Sequence, residues 1–346
     1  MRATWLHALC YCCCLLWAAL NWRDAMCTAA VRERATAQRA ARAEQQLHAL
    51  QLQRAVWSVA VAVNRSRGHS VTQVQLTAEW RSLGVVLAFP PSQAQLVVQN
   101  LHSWSLPQFA PCERYSHNRT LTPLLFYMSR RDDAALAAVH DATARRHFPR
   151  HCFSRIEWRF ANLSAADDVY GAGTLAMWYQ LWGAPHALPP TNYLLWMEPD
   201  LRPVRALWLE RLVQLVSLRL TRVWQLGSLP RYKENNDWHL NGNALYSADD
   251  AMFARFVLNS RDAFRDYLSF DKNLYEARRR DYAFSQRYDH MFQTTDVIQN
   301  RANEPLHLSQ FLRQNPESYL VHGKGAVASL DKLMPKWMAE QEALGL

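Results

Sequence analysis

Two carboxylates one residue apart are the clearest candidates for chemistry in this sequence. Glu198 and Asp200 flank Pro199 and follow the apolar run from Tyr193 to Met197. Carboxylates this close repel each other unless a cation, a hydrogen-bond network or a raised pKa relieves the repulsion. A hard divalent metal that carries a substrate phosphate is a common solution, because such metals prefer oxygen ligands. The pair therefore predicts a metal site for a phosphorylated ligand.

The elements that would position these acids alternate between strand and helix. Apolar runs predict strands, and amphipathic or Ala-rich segments between them predict helices. The predicted strands are 85–89, 124–128, 156–162 and 193–197, and the predicted helices are 93–104, 132–147, 174–182 and 206–220. This order is typical of an α/β fold with a mainly parallel sheet and helices on both faces. Such folds bind ligands at the carboxyl ends of their strands, where the acid pair is expected.

A second group of candidates follows at residues 223 to 246. Strands are predicted at 223–227 and 238–246, on either side of a polar loop. Trp238, Asn241 and Asn243 lie on the second of these, where an aromatic ring and side-chain amides suit a hydroxyl-rich ligand. The alternative is structural, because Asn-Gly is also a strong signal for a hairpin turn.

The C-terminal third carries further candidates, namely a histidine, a lysine and an acid. Residues 319–325 predict a short strand that ends at His322 and is followed by Lys324. Residues 292–300 start like a capped helix, which would place Asp296 in a first helical turn. The alternatives are a lone surface histidine and an acid that only complements a helix dipole.

The N-terminal sequence predicts targeting to the secretory pathway. An apolar block within residues 1–22 is short for a spanning helix of about 20 residues and long for a signal-peptide core of about 7 to 15. We interpret it as an uncleaved signal anchor, with cleavage as the alternative. Residues 23–70, rich in Ala, Arg and Gln, predict a helical stem that could self-associate, and the body follows at 71–346.

The cysteines and sequons agree with a lumenal body. Five of the seven cysteines lie in or beside the apolar block, and the remaining two predict one disulfide, with two buried thiols as the alternative. Three N-x-S/T sequons predict glycosylation. The two body cysteines are Cys112 and Cys152, and the sequon asparagines are Asn64, Asn118 and Asn162.

The net charge of +9 does not indicate a nucleic-acid-binding protein. Residues 23–67 contain eight Arg against three acids, so most of the excess lies in the predicted stem. Too little positive charge remains on the body for a continuous phosphate-binding face. The 14 Trp of the chain could instead pack a core or stack on sugars.

Glu198-Pro199-Asp200 resembles the D-x-D motif of nucleotide-sugar-dependent glycosyltransferases of the GT-A fold, with Glu in the first place. The resemblance covers roughly residues 80–325. It implies that Asp200 binds a divalent metal, Mn²⁺ or alternatively Mg²⁺, which bridges the donor diphosphate, while Glu198 assists. It also implies a single-pass type II protein of the Golgi or endoplasmic reticulum that glycosylates a glycan or glycoprotein.

The resemblance implies further roles for individual residues. His322 would be a third metal ligand, and Lys324 would neutralise the departing diphosphate. Asp296, with Asp289 second, would be the catalytic base. Other implied contacts are with the nucleotide, by Asp168 and Tyr170, and with the acceptor, by Trp238, Asn241 and Asn243. The competing functions are an inactive carbohydrate-binding membrane protein of the same fold and, third, a metal-dependent hydrolase.

Overall fold

The computed structural model describes residues 81–113, 122–169, 171–184, 188–217, 219, 221–229, 239–263 and 269–343. The predicted anchor and stem lie outside these residues, as do Asn64, Asn118, Tyr170 and Trp238. Within the described ranges, no helix combines the length and the apolar composition that crossing a bilayer requires.

The described body has ten strands and ten α-helices. The strands are β1 Leu83–Phe89, β2 Pro123–Met128, β3 Arg155–Phe160, β4 Tyr193–Met197, β5 Leu201–Pro203, β6 Gln225–Gly227, β7 Leu245–Ser247, β8 Phe292–Thr294, β9 Ile298–Asn300 and β10 Leu320–His322. The helices are α1 Ala94–Trp104, α2 Asp133–Ala144, α3 Ala172–Gly183, α4 Trp208–Ser217, α5 Ala251–Ala263, α6 Phe270–Arg280, α7 Tyr282–Tyr288, α8 Leu308–Gln314, α9 Lys324–Asp331 and α10 Met334–Ala343.

Seven strands form the central sheet in the order β3-β2-β1-β4-β7-β6-β8. Only β7 runs antiparallel to its neighbours, so the sheet is mainly parallel, as predicted. A second sheet has the order β5-β10-β9, in which β10 pairs antiparallel with β5 and parallel with β9. The carboxyl ends of β1 to β4 share one edge of the central sheet, because these strands are parallel.

Both faces of the central sheet are covered by helices, which confirms the predicted layers. Side chains alternate across a strand, so Val85 and Leu87 lie on one face and Val86 on the other. The first two belong to a buried cluster with residues of α1, α2 and α4. Val86 belongs to a cluster with residues of α3, α5 and α6, in which Trp178 stacks on Phe270 at 4.2 Å between ring centroids.

Two predicted elements are wrong. Residues 292–300 form β8 and β9 with a bend between them instead of a helix. The β-branched residues of this segment favour strands, and β6 and β10 offer backbone partners to pair with. Of the predicted strand 238–246, the described residues 239–244 form no strand, and β7 covers Leu245–Ser247. Before it, Asn241 Oδ1 accepts from the Asn243 backbone N–H, which holds the chain in a turn.

Cys112 and Cys152 form the predicted disulfide, with their sulfur atoms 2.02 Å apart. The bond joins the segment after α1 to the segment before β3. His151 lies beside these sulfurs, but two sulfurs that are bonded to each other do not supply thiolate ligands for a metal.

Candidate metal centre

Three predicted ligands meet where the two sheets approach each other. Glu198 and Asp200 follow the end of β4, and His322 is the last residue of β10. The antiparallel pairing of β10 with β5 sets His322 opposite Leu201, directly after Asp200. Ligand atoms of Glu198, Asp200 and His322 lie within 4.8 Å of one another, so these side chains could hold a metal ion.

The imidazole of His322 is oriented by hydrogen bonds at both nitrogens. Its Nε2 lies 3.2 Å from Asp200 Oδ1, and its Nδ1 lies 3.2 Å from Asn300 Oδ1. The Ala302 backbone N–H also donates to Asn300 Oδ1, at 3.1 Å, which identifies that atom as the amide oxygen. An amide oxygen can only accept, so Nδ1 carries the proton in this bond. Nε2 faces Asp200, so it donates to that carboxylate while the imidazole is protonated, and its lone pair points toward the carboxylates once that proton is lost.

Glu198 is held by Asn243. The Asn243 Oδ1 accepts from the Glu198 backbone N–H at 2.8 Å, and its Nδ2 donates to Glu198 Oε2 at 3.3 Å. Asn243 is fully buried. Its predicted role was acceptor binding, whereas the structure commits its side chain to positioning a carboxylate.

The electrostatics of the cluster fit a cation. Burial, followed by the charge of Asp200, raises the pKa of Glu198 to about 7. Burial acts to raise the pKa of Asp200 as well, but the charge and hydrogen bond of His322 outweigh it and the pKa is lowered. Burial acts to lower the pKa of His322, yet the neighbouring carboxylates raise it. Two carboxylates and an imidazole are ligands that divalent metal ions use in proteins.

A further acid, which the sequence did not indicate, lies beside the cluster. Asp271 is buried in the first turn of α6, where its Oδ2 accepts from the Gly242 backbone N–H at 2.9 Å and lies 3.4 Å from His239 Nε2. Its charge contributes to the raised pKa values of Glu198 and His322. The available signal was Ser269, which caps α6 by accepting from the Lys272 N–H.

The two acids predicted to be catalytic lie elsewhere. Asp296 is exposed in the bend between β8 and β9, not in a helical turn, so the structural argument for it is lost. Asp289 is also exposed, and its Oδ1 lies 3.2 Å from Arg278 Nε. Within the described ranges, no hydrogen bond or ion pair joins either carboxylate to the cluster.

The remaining predicted residues surround the cluster to different degrees. Lys324 begins α9, and its charge lowers the pKa of Asp200. Asp168 pairs with Arg130 at 3.2 Å beyond the carboxyl ends of β2 and β3, shortly before Gly171, the N-cap of α3. Asn241 is half-buried in the turn before β7.

Two arginines, Arg202 and Arg205, closely follow the acid pair in the sequence and could form ion pairs with it. Arg202 instead donates to Gln99 and Asp331, both at 3.4 Å. Arg205 donates to the carbonyl oxygens of Leu312 and Ser318. Glu198 and Asp200 thus face His322 rather than these guanidinium groups.

Comparisons with known proteins found similarity at the level of structure. No family model matches the sequence, and no curated protein matches it. Similar solved structures include the galactosyltransferase LgtC in complex with donor and acceptor sugar analogues, at 12% identity and a TM-score of 0.43 over 70% of this chain and 87% of that one. Mouse xyloside xylosyltransferase 1 matches at 10% identity and 0.43, over 70% of this chain and 97% of that one. A glycosyltransferase involved in glycosylation of the PBCV-1 major capsid matches at 11% and 0.39, over 74% and 99%.

Proposed function

We propose that this protein is a metal-dependent glycosyltransferase that moves a sugar from a nucleotide-sugar donor to a hydroxyl of a glycan or protein. One observation carries the proposal: Glu198, Asp200 and His322 converge within 4.8 Å at the carboxyl end of β4. The resemblance of Glu198-Pro199-Asp200 to the D-x-D motif supplies the class of reaction.

Asp200, His322 and Glu198 would hold the metal, for which we propose Mn²⁺ with Mg²⁺ as the alternative. The bound metal would supply electrostatic stabilisation of the departing diphosphate. Asn300 and Asn243 hold His322 and Glu198 in place for this role. Lys324, at the start of α9, would add a positive charge for the same diphosphate.

The donor and acceptor would lie along the carboxyl edge of the sheet. Asp168 is proposed to contact the nucleotide, and Asn241 the acceptor. A base for the acceptor hydroxyl must be a group that can reach it by a hydrogen bond. We add Asp271 to the predicted candidates Asp296 and Asp289, because Asp271 is the one whose charge acts on Glu198 and His322.

The cellular setting is part of the proposal. A signal anchor at residues 1–22 would hold the protein in the Golgi or endoplasmic reticulum membrane as a type II protein, with the body in the lumen. The stem at 23–70 would link the two and could form a homodimer. Glycosylation of Asn162, which is exposed directly after β3, would fit this location.

The decisive experiment measures hydrolysis and transfer for a panel of nucleotide sugars with and without Mn²⁺. Asp200→Asn is expected to reduce the metal-dependent rate by at least about 100-fold, because it removes one of the carboxylates proposed to bind the metal. Asp133→Asn is the matched control, because it makes the same change on the exposed start of α2.

Metal binding is measured in parallel by titration calorimetry. Metal-dependent turnover that survives Asp200→Asn would overturn the assignment of the metal site. A protein that binds sugars but neither metal nor nucleoside diphosphates would instead be an inactive carbohydrate-binding protein.

A further inference from the structure

A cavity of about 850 Å³ runs along α3. Its described lining residues do not include Glu198, Asp200 or His322. One side of α3, the end of β3 and one residue each from α5 and α6 line it. We call it the α3 groove, and its described lining residues are Phe160, Ala161, Asn162, Ala172, Leu175, Ala176, Tyr179, Gln180, Gly183, Ala184, Arg261 and Asn273.

The polar groups of the α3 groove are mainly neutral. Asn162, Gln180 and Asn273 contribute side-chain amides, and Tyr179 contributes a hydroxyl. Among the described lining residues the only charged side chain is Arg261, whose Nε lies 3.0 Å from Asp262 Oδ1. Such a lining offers no uncompensated charge to an ionic ligand. Amides and hydroxyls instead match the alternating donors and acceptors of a polyol.

A directed chain of hydrogen bonds ends at the fully buried Asn273. Ser260 Oγ donates to the Val257 carbonyl oxygen at 2.6 Å, so its proton is committed there. Tyr179 Oη, 3.1 Å from Ser260 Oγ, must therefore donate to it and accept from Asn273 Nδ2, which lies at 3.0 Å.

Because Nδ2 must be the atom that donates to Tyr179, the orientation of the Asn273 amide is determined. Its Oδ1 takes part in none of these hydrogen bonds. In the part of the chain that the structure describes, Asn273 Oδ1 has no hydrogen-bond partner and is buried. A buried polar atom without a partner is destabilising unless a ligand or water satisfies it. A ligand hydroxyl that donates to Oδ1 would extend the chain through Tyr179 to Ser260, and successive hydrogen bonds of this kind strengthen one another.

We propose that the α3 groove is a binding site for a neutral oligosaccharide. Its hydroxyls would bond to Asn273 and the rim amides, and its C–H faces would pack on apolar walls that include Leu175 and Ala176. A cavity of about 850 Å³ is in the range of sites that enclose drug-sized ligands, so it could enclose a short oligosaccharide. The site goes beyond the proposed transfer reaction, because it needs neither the metal nor the donor.

The proposal is tested by saccharide binding to the full-length chain produced without N-glycans. An array of neutral oligosaccharides, built from hexoses and N-acetylhexosamines, is screened in the presence of a chelator. Hits are then titrated by saturation-transfer NMR. At least one of these saccharides is expected to bind, and Asp200→Asn is expected to leave that binding unchanged. The result therefore separates the groove from the metal site.

Two variants place the binding in the groove. Ala176→Trp fills it from a half-buried position on α3 and is expected to weaken binding at least about ten-fold. Its matched control is Ala138→Trp, the same change at a half-buried position of α2 on the opposite face of the sheet, which should leave binding unchanged. Asn273→Leu removes the free acceptor and should weaken binding several-fold; Ala176→Trp keeps the test decisive if this buried variant does not fold.

Three results would overturn the proposal. One is the absence of any bound neutral saccharide, and another is binding that Ala176→Trp does not weaken. The third concerns Asn162, which lines the groove and belongs to a sequon. If protein from a secretory host binds saccharides only after Asn162→Gln or enzymatic removal of its glycan, the occupant is the protein's own glycan and not a free ligand.

Discussion

The strands before Glu198 and those after it are specified in different ways. β1, β2 and β4 contain five to seven residues, all of them buried. Each strand from β5 to β10 contains three residues. A long apolar run predicts its own strand, whereas three residues become a strand because neighbours pair with them. The metal cluster takes its carboxylates from the first group and its histidine from the second.

The largest effects should come from the buried core beside α1, α2 and α4, where they test whether strand length matters to stability. Leu195 in β4 and Leu226 in β6 are both fully buried in the same cluster. If packing stabilises short and long strands alike, Leu195→Ala and Leu226→Ala should each lower the free energy of unfolding by about 3 kcal/mol in urea titrations. A loss below about 1 kcal/mol for Leu226→Ala alone would show that β6 is outside the cooperative core.

The next largest effect on stability is expected from backbone strain at Gly323, which directly follows β10. Gly323 has φ of +130°, and a Cβ there would lie 2.2 Å from the Ala302 carbonyl oxygen. Gly323→Ala should therefore destabilise the protein by about 2 to 3 kcal/mol, since backbone atoms must move. Gly183→Ala is the control, because a Cβ at that helical glycine would make an ordinary contact with Leu258 at 4.0 Å, and it should be neutral or slightly stabilising. Equal unfolding midpoints for the two variants would contradict the expected strain.

A smaller effect, on metal affinity, is expected from substitution of Asn300, a residue of β9 that contacts the candidate ligand His322. Asn300→Ala removes the partner of His322 Nδ1 and should weaken Mn²⁺ binding by about ten-fold in calorimetric titrations. Asn192→Ala, a change of the same kind before the start of β4, should leave metal affinity unchanged although it removes a bond to the Ser82 backbone N–H. Equal affinities of the Asn300 variant and the unsubstituted protein would show that Asn300 does not orient the imidazole.

A change of similar size in metal affinity requires no mutation. The pKa of Glu198 is raised to about 7 and that of His322 lies above its usual value. Both groups must lose a proton to bind a metal, so affinity should be highest above both pKa values and fall as the pH decreases through them. We expect Mn²⁺ binding to weaken about ten-fold or more from about pH 8 to about pH 6. Affinity that is constant over this interval would exclude these two side chains as ligands.

The sequence predicts the first group of strands well because each of their features is local. The apolar run from Tyr193 to Met197 specifies β4, and the acids that follow it must lie at the carboxyl edge of a parallel sheet. The strand that ends at His322 was also predicted. Its proximity to Asp200 depends on pairing between β5 and β10, which joins residues about 120 positions apart. No local pattern encodes such a pairing.

The residues that support the ligands were harder to predict, because their roles depend on distant partners. Asn300 accepts a hydrogen bond from His322, and Asp271 accepts one from the Gly242 backbone. Both contacts join segments that are distant in sequence. In sequence alone, residues 292–300 resemble a capped helix. In the folded protein they form strands, because β6 and β10 pair with them. The predicted capped helix at 292–300 is absent, whereas α6 is capped by Ser269 and carries Asp271 in its first turn.

The pairing of β5 with β10 also bears on the order of events during synthesis. Strands β1 to β4 and both carboxylates leave the ribosome about 120 residues before His322 does. At roughly 5 to 20 residues per second, the interval between them is on the order of ten seconds. During it, the nascent chain can form its longest strands but has only two of the three candidate metal ligands. The candidate metal centre is thus completed only after this interval, when β10 can pair with β5.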